Sequence, residues 1–174
     1  QAELAQAHAC LGELLAALGL TAEACGVSTE AAAAFPLRVP RGFVARMRYG
    51  DPADPLLRQV LPVDAENTVL PGFGTDPVGD LDSVLAPGLL QKYAGRALLI
   101  TTGACAVHCR YCFRRAFPYA GHSATPAALA AALDAIAADH SLQEIILSGG
   151  DPLALGNGRL AELIHALEGI PHIT

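Results

Sequence analysis

Hydrophobic and polar positions change rhythm twice along the chain. Over residues 1–19, Leu4, Ala7, Leu11, Leu14, Leu15 and Leu18 recur at helical spacing, which predicts an amphipathic helix stopped by Gly19. Ser28 is a candidate N-cap for a second short helix through Ala31–Ala34, closed by Pro36. From Phe35 to Gly95 the text is broken by Pro36, Pro40, Pro52, Pro55, Pro62, Pro71, Pro77 and Pro87. Short helices at about 41–48, 55–60 and 88–94 fit between these breakers, with Asp54-Pro55 as a helix start. The segment Leu70-Pro-Gly-Phe-Gly-Thr-Asp-Pro reads as an ordered loop.

At Arg96 the rhythm changes. Arg96-Ala-Leu-Leu-Ile-Thr-Thr is a continuous apolar run, the pattern of a strand covered on both faces of a parallel sheet. Thr125-Pro126 then opens a helix to about Ala138, with Leu129, Leu133 and Ile136 on one face. Glu144–Ser148 is a second short apolar strand, and Leu160, Leu163, Ile164 and Leu167 mark a further helix that Gly169 ends. Pro171-His-Ile-Thr reads as the start of a third strand. Strand–helix–strand–helix–strand is the grammar of a (β/α) barrel, whose sites gather where strands end. The fold class expected is therefore α/β: the first units of a partial (β/α) barrel over 96–174, preceded by a mainly helical, irregular region over 1–95. Two βα units cannot close a barrel and would leave a raw apolar edge, so the chain reads as the N-terminal part of a larger protein.

Composition narrows the function classes. With 52% hydrophobic and 16% charged residues, 174 residues are enough to bury a core. A net charge of −6 and the lack of a Lys/Arg-rich run argue against nucleic acid. No apolar stretch has the length of a membrane span, and no basic leader precedes a cleavage site, so neither membrane nor secretion is expected. Ten of the eleven basic residues are arginine, leaving Lys92 as the sole lysine. Of five cysteines, Cys10 and Cys25 read as free, buried thiols in alanine-rich helical text, which suits a reducing cytoplasm.

The other three, Cys105, Cys109 and Cys112, stand in Cys105-Ala-Val-His-Cys109-Arg-Tyr-Cys112-Phe-Arg-Arg, directly after the first apolar strand. Three thiolates on one loop form a soft, anionic ligand set, suited to an iron–sulfur cluster or zinc. Closed zinc sites take four protein ligands, and a local fourth cysteine is absent. His108 is a poor candidate for it and is expected to face solvent. Ser148-Gly149-Gly150-Asp151-Pro152 follows the second strand, where glycines let backbone groups approach a ligand. Arg114 or Arg115 is placed to grip a carboxylate or phosphate near the cysteines, and Arg96 at the head of the first strand is open to the same reading.

The C-x3-C-x2-C spacing with Tyr111 before the last cysteine resembles that of radical S-adenosylmethionine (SAM) enzymes. The run CAVHCRYCFRRAFPY, with EIILSGGDPL and IPHIT, resembles the lysine 2,3-aminomutase family among them. The segments FPLRVPRGFVARM, GDPADPLLRQVLP, PGFGTDP and LLQKYAGRALL point to the branch that makes β-lysine for modifying elongation factor P. The resemblance implies a [4Fe-4S] cluster on Cys105, Cys109 and Cys112, with SAM beside it. Tyr111, Ser148, Gly149, Gly150 and Asp151 would contact SAM, and Arg114 would pair with the lysine carboxylate. Pyridoxal 5′-phosphate (PLP) is implied too, its phosphate on Arg96, with an external electron donor. Reduction of SAM would generate the radical that drives 2,3-migration of the amino group, and a separate ligase would attach the product to elongation factor P. The family's Schiff-base lysine lies beyond residue 174 and Lys92 does not match it, so the isolated chain is expected to be inactive. Two alternatives stay open: the same reaction serving lysine catabolism or antibiotic building blocks, and a non-enzymatic metal-binding module.

Overall fold

The computed structural model describes residues 5–122 and 125–174. They form two compact units, residues 5–74 with 106–115, and residues 75–105 with 116–122 and 125–174. The division falls at 74/75 rather than at the 95/96 boundary read from the sequence, and most of the cysteine loop goes with the N-terminal unit.

The first unit is built of short helices around one apolar core. They are α1 (Leu11–Ala17), α2 (Ala22–Cys25), α3 (Thr29–Ala34) and α4 (Arg41–Val44), with 3-10 turns at Leu57–Gln59 and Asp64–Asn67. Leu14, Leu15, Leu18, Leu37, Val39, Val44, Leu57 and Val60 fill the centre. The single helix expected over 1–19 is shorter at its start. Leu4 lies outside the described residues, His8 pairs antiparallel with Val39, and Cys10, expected to be buried, is extended and exposed at the helix cap, while Cys25 is partly buried. Gly19 adopts a left-handed φ of 65° where α1 ends, as anticipated. Ser28 caps α3 by accepting from the Ala31 amide. Asp54, 2% exposed, accepts amides of Leu56 and Leu57 at 2.9 and 3.0 Å and of Arg48 at 3.1 Å. The helix expected at 55–60 thus shrinks to a capped 3-10 turn.

The second unit holds a four-stranded sheet in the order β1 (Val84–Ala86), β2 (Leu89–Tyr93), β3 (Arg96–Thr102), β4 (Glu144–Gly149). β3 and β4 run parallel, with Leu98 opposite Ile146 and Leu99 opposite Leu147. Between them runs α6 (Pro126–Ala138), preceded by the one-turn α5 (Tyr119–His122), and α7 (Asn157–Glu168) follows β4. Ala97 and Leu99 of β3 face Ala132 and Ile136 of α6 and Leu163 and Leu167 of α7 in one core. This βαβα arrangement is the α/β class expected, consistent with part of a barrel. β1 and β4 are the edges of the sheet, and Ile146 of β4 is 38% exposed.

Two expected elements differ. Residues 88–94 form β2, not a helix: Gly88, at φ 78°, turns the chain after β1, and the two-residue Ala94-Gly95 loop returns β2 antiparallel onto β3. Residues 171–174 make no strand; the Thr174 amide donates a single hydrogen bond to the Gln143 carbonyl, which is too little for a ladder. Among the described residues, no helix is long and apolar enough to cross a membrane.

Candidate active site

The loops leaving β3 and β4 meet in the second unit. The Gly150 amide donates to the Thr102 carbonyl at 2.7 Å, and the Asp151 amide donates to the Ala104 carbonyl at 2.8 Å. The base of the cysteine loop, up to Cys105, is thereby laced to the glycine turn after β4. Thr102 Oγ1 accepts from the Ala104 amide at 3.1 Å, and Thr101 donates its hydroxyl to the Ser148 carbonyl at 3.0 Å. The lacing explains both glycines. A Cβ on Gly149, where φ is 118°, would stand 2.3 Å from the Thr102 oxygen, and one on Gly150 would stand 2.2 Å from the Ala104 oxygen. Expected to open space for a ligand, these glycines first of all let two backbones touch. The Asp151 carboxylate accepts from the Leu153 amide and caps the 3-10 turn Pro152–Ala154.

In the first unit, residues 106–115 are held along their whole length. Val107 packs on the apolar core. The His108 amide donates to the Arg38 carbonyl at 3.0 Å, and its Nδ1 donates to the Pro36 carbonyl at 2.8 Å. Its ring stacks on Phe35, with centroids 5.0 Å apart. The sequence reading had this ring facing solvent; it is partly buried and engaged. The Arg110 amide donates to the Gln59 carbonyl at 2.7 Å, and the Cys112 amide closes a turn onto the Cys109 carbonyl at 3.1 Å.

The Arg110 guanidinium is buried and meets Glu66 through Nε at 3.0 Å and Nη2 at 2.7 Å. It also donates to the Phe35 carbonyl at 2.6 Å and the Ala31 carbonyl at 2.8 Å, at the C-terminal end of α3. The Ala31 carbonyl already takes the Phe35 amide at 3.2 Å and accepts the arginine on its second lone pair, while the Phe35 carbonyl lies just past the helix, so the guanidinium closes off the end of α3. Arg115 Nη1 reaches the same Glu66 carboxylate at 2.6 Å. Burial alone would push the Glu66 carboxyl up; hydrogen bonds from Arg110, the Val63 amide and Arg115 outweigh it and hold the group below the usual carboxylate range. Neither Glu66 nor Arg110 stood out in the sequence, because a carboxylate and an arginine 44 residues apart give no local signal.

Arg114 is buried, its guanidinium 4.9 Å over the Phe113 ring. Tyr111 is exposed, its hydroxyl 3.4 Å from Gln59 Oε1. Hydrogen bonding to the Cys109 sulfur, then the charges of Cys109 and Cys112, push its phenol up. Arg96 sits at the opposite end of β3 from the cysteine loop, roughly 20 Å along the strand from Thr102 at ~3.3 Å per residue. Its guanidinium pairs with Glu144 at 3.0 Å, half exposed. Lys92 is bound to the buried Asp80 at 2.6 Å.

Cys105 belongs to the second unit and Cys109 and Cys112 to the first. All three are partly buried and in no disulfide. Among the described residues, no group of three His, Cys, Asp or Glu side chains is gathered closely enough to hold a metal ion. The donor chemistry nevertheless fits a cluster: three thiols at C-x3-C-x2-C spacing, half shielded from water, on a backbone pinned on either side of Cys109.

A cysteine loop after one parallel strand is thus laced to a glycine turn after the next. Residues 99–174 match the family model described as the radical SAM superfamily. The chain is 50% identical to an L-lysine 2,3-aminomutase of Escherichia coli over 162 residues, covering 92% of this chain and 47% of that protein. An L-lysine 2,3-aminomutase of Haemophilus influenzae is 44% identical with the same coverages, and one of Clostridium subterminale is 32% identical over 71% of this chain and 30% of its own length. The chain spans about half the length of the first two of these curated relatives.

Proposed function

We propose that this chain serves a radical SAM lysine 2,3-aminomutase, an isomerase that converts L-α-lysine into β-lysine. The observation that carries the reading is the lacing of Gly150 and Asp151 onto Thr102 and Ala104, inside the segment that matches the superfamily model. It brings the glycine turn to the base of the cysteine loop, the two loops the reaction needs together.

In this reading Cys105, Cys109 and Cys112 hold the cluster as thiolates, and Tyr111, Ser148, Gly149, Gly150 and Asp151 receive SAM. Cluster and SAM, when bound, supply hydrogen abstraction, and PLP supplies the carrier for the migrating amine. The protein's own work is to bind, orient and exclude water. Arg114 orients the lysine carboxylate: a buried guanidinium is a strong bidentate partner because little water competes for it. Arg115 is assigned to the loop instead, through its ion pair with Glu66. Arg96 would take the PLP phosphate, with the phosphate replacing Glu144 as its partner. Lys92, which does not match the position of the family's Schiff-base lysine, is given a structural role with Asp80 in this reading.

The product would serve modification of elongation factor P through a separate ligase, in a reducing cytoplasm with an external electron donor. The upstream segments FPLRVPRGFVARM and GDPADPLLRQVLP support that branch. The test is anaerobic incubation of the full-length protein with lysine, SAM, PLP and reductant. β-Lysine in the products supports the reading. A loaded cluster that cleaves SAM yet leaves lysine unchanged refutes it. Deletion of the gene is expected to strip β-lysine from elongation factor P, and modification that persists would assign the enzyme to lysine catabolism or antibiotic synthesis instead.

A further inference from the structure

We propose that Glu66 is a positioning residue for the cluster, acting through Arg110 and Arg115 to fix the loop that presents Cys109 and Cys112. The inference rests on the reading that these cysteines are cluster ligands. Its grounds are geometric and lie within the first unit. Arg110 is between the two cysteines in sequence, and all three nitrogens of its guanidinium are engaged: Nε and Nη2 by Glu66, Nη2 also by the Ala31 carbonyl, Nη1 by the Phe35 carbonyl. Arg115, three residues past Cys112, closes the other side by bridging Glu66 at 2.6 Å and the Arg110 carbonyl at 3.2 Å. Glu66 is itself fixed, since its Oε1 accepts from the Val63 amide at 3.1 Å. One carboxylate thus fastens both ends of the Cys109–Cys112 turn to the turn Asp64–Asn67, and Arg110 ties the same turn to the end of α3.

The chemistry follows from the charges. A cluster on three thiolates is anionic and gains electrons during turnover, so the loop around it must keep its shape as charge accumulates. Two arginines bridged by one carboxylate leave a net positive charge on the loop that carries Cys109 and Cys112 while remaining immobile. Outer partners of this kind orient ligands, and their loss costs about 10- to 100-fold in metal affinity.

The experiment compares full-length wild type with Glu66→Gln, Arg115→Gln and Arg115→Lys after anaerobic reconstitution. It reads the rate of iron loss to a chelator and the electron paramagnetic resonance (EPR) spectrum of the reduced cluster, with circular dichroism as a check on fold. Glu66→Gln and Arg115→Gln are expected to lose iron about 10- to 100-fold faster with an altered spectrum. Arg115→Lys, which keeps a cation within reach of Glu66, is expected to recover most of the difference. Rates within twofold of wild type in both Gln variants, with unchanged spectra, would overturn the proposal. If Glu66→Gln does not fold, the Arg115 pair decides: equal rates for Gln, Lys and wild type overturn it. Wild type that takes up no cluster would instead remove the reading on which the proposal rests.

Discussion

Gly150→Ala is the sharpest perturbation of the laced loops. The position has no left-handed φ, so alanine brings no backbone strain of its own and the substitution is a test of space alone. The new Cβ would lie 2.2 Å from the Ala104 oxygen, 2.7 Å from its carbonyl carbon and 3.0 Å from the Gly103 carbonyl carbon. All three are backbone atoms, so no side chain can swing away. Restoring an ordinary contact requires the two loops to part by about 1.2 Å, which carries the Asp151–Ala104 hydrogen bond well past bonding range. The Gly150–Thr102 bond is strained with it. At ~0.5–1.5 kcal/mol for each hydrogen bond, losing both costs roughly 1–3 kcal/mol. Denaturant unfolding of the full-length protein measures that cost, and SAM binding by the reconstituted enzyme should weaken in parallel, because the same parting moves the turn away from the cysteine loop. A variant as stable as wild type within ~0.5 kcal/mol, with unchanged SAM affinity, would refute the lacing argument.

Other outcomes follow from single contacts. Thr125→Ala removes the side chain that accepts from the Ala128 amide at the start of α6 and should cost about 1 kcal/mol in the same denaturation assay. Lys92→Met leaves the Asp80 carboxylate without its lysine and should cost about 1–3 kcal/mol, while PLP uptake followed by absorbance is unchanged; lost PLP binding would contradict the assignment of Lys92 to structure. Glu66 should add acid sensitivity. Its folded-state carboxyl sits below its unfolded value of about 4.3, so its contribution is full above that pH and is lost as pH falls through the folded value. Stability measured from neutral to acid pH should fall over that window in wild type and less steeply in Glu66→Gln.

The barrel-like half was legible because its signals are local and agree with one another. The apolar run Arg96–Thr102, the Thr125-Pro126 cap, the run Glu144–Ser148 and the helix ended by Gly169 each combine a period with a boundary residue, and each lies where expected. β2 was misread because Leu89–Tyr93 is too short to separate helix from strand by period. The usable signal was Gly95 directly before the second of two apolar runs, since glycine takes the positive φ of 79° that the tight turn needs. The N-terminal helix was overextended because His8 is drawn into a bridge with Val39, a partner that periodicity does not reveal. At the site, cysteine spacing and the glycine turn were visible as text. Arg110 and Glu66 were not, since their roles exist only after distant segments fold together. Arg115, read as an anion anchor, proved to be held by Glu66 for the same reason.

The measurement that bears most directly on the central claim is EPR of the full-length protein, reconstituted with iron and sulfide and reduced, with and without SAM. The account predicts a reduced-cluster signal that changes when SAM is added and disappears when Cys105, Cys109 or Cys112 is replaced by Ala. A signal that ignores SAM would mark the cluster as structural and contradict the account, as would one that survives loss of any of the three cysteines.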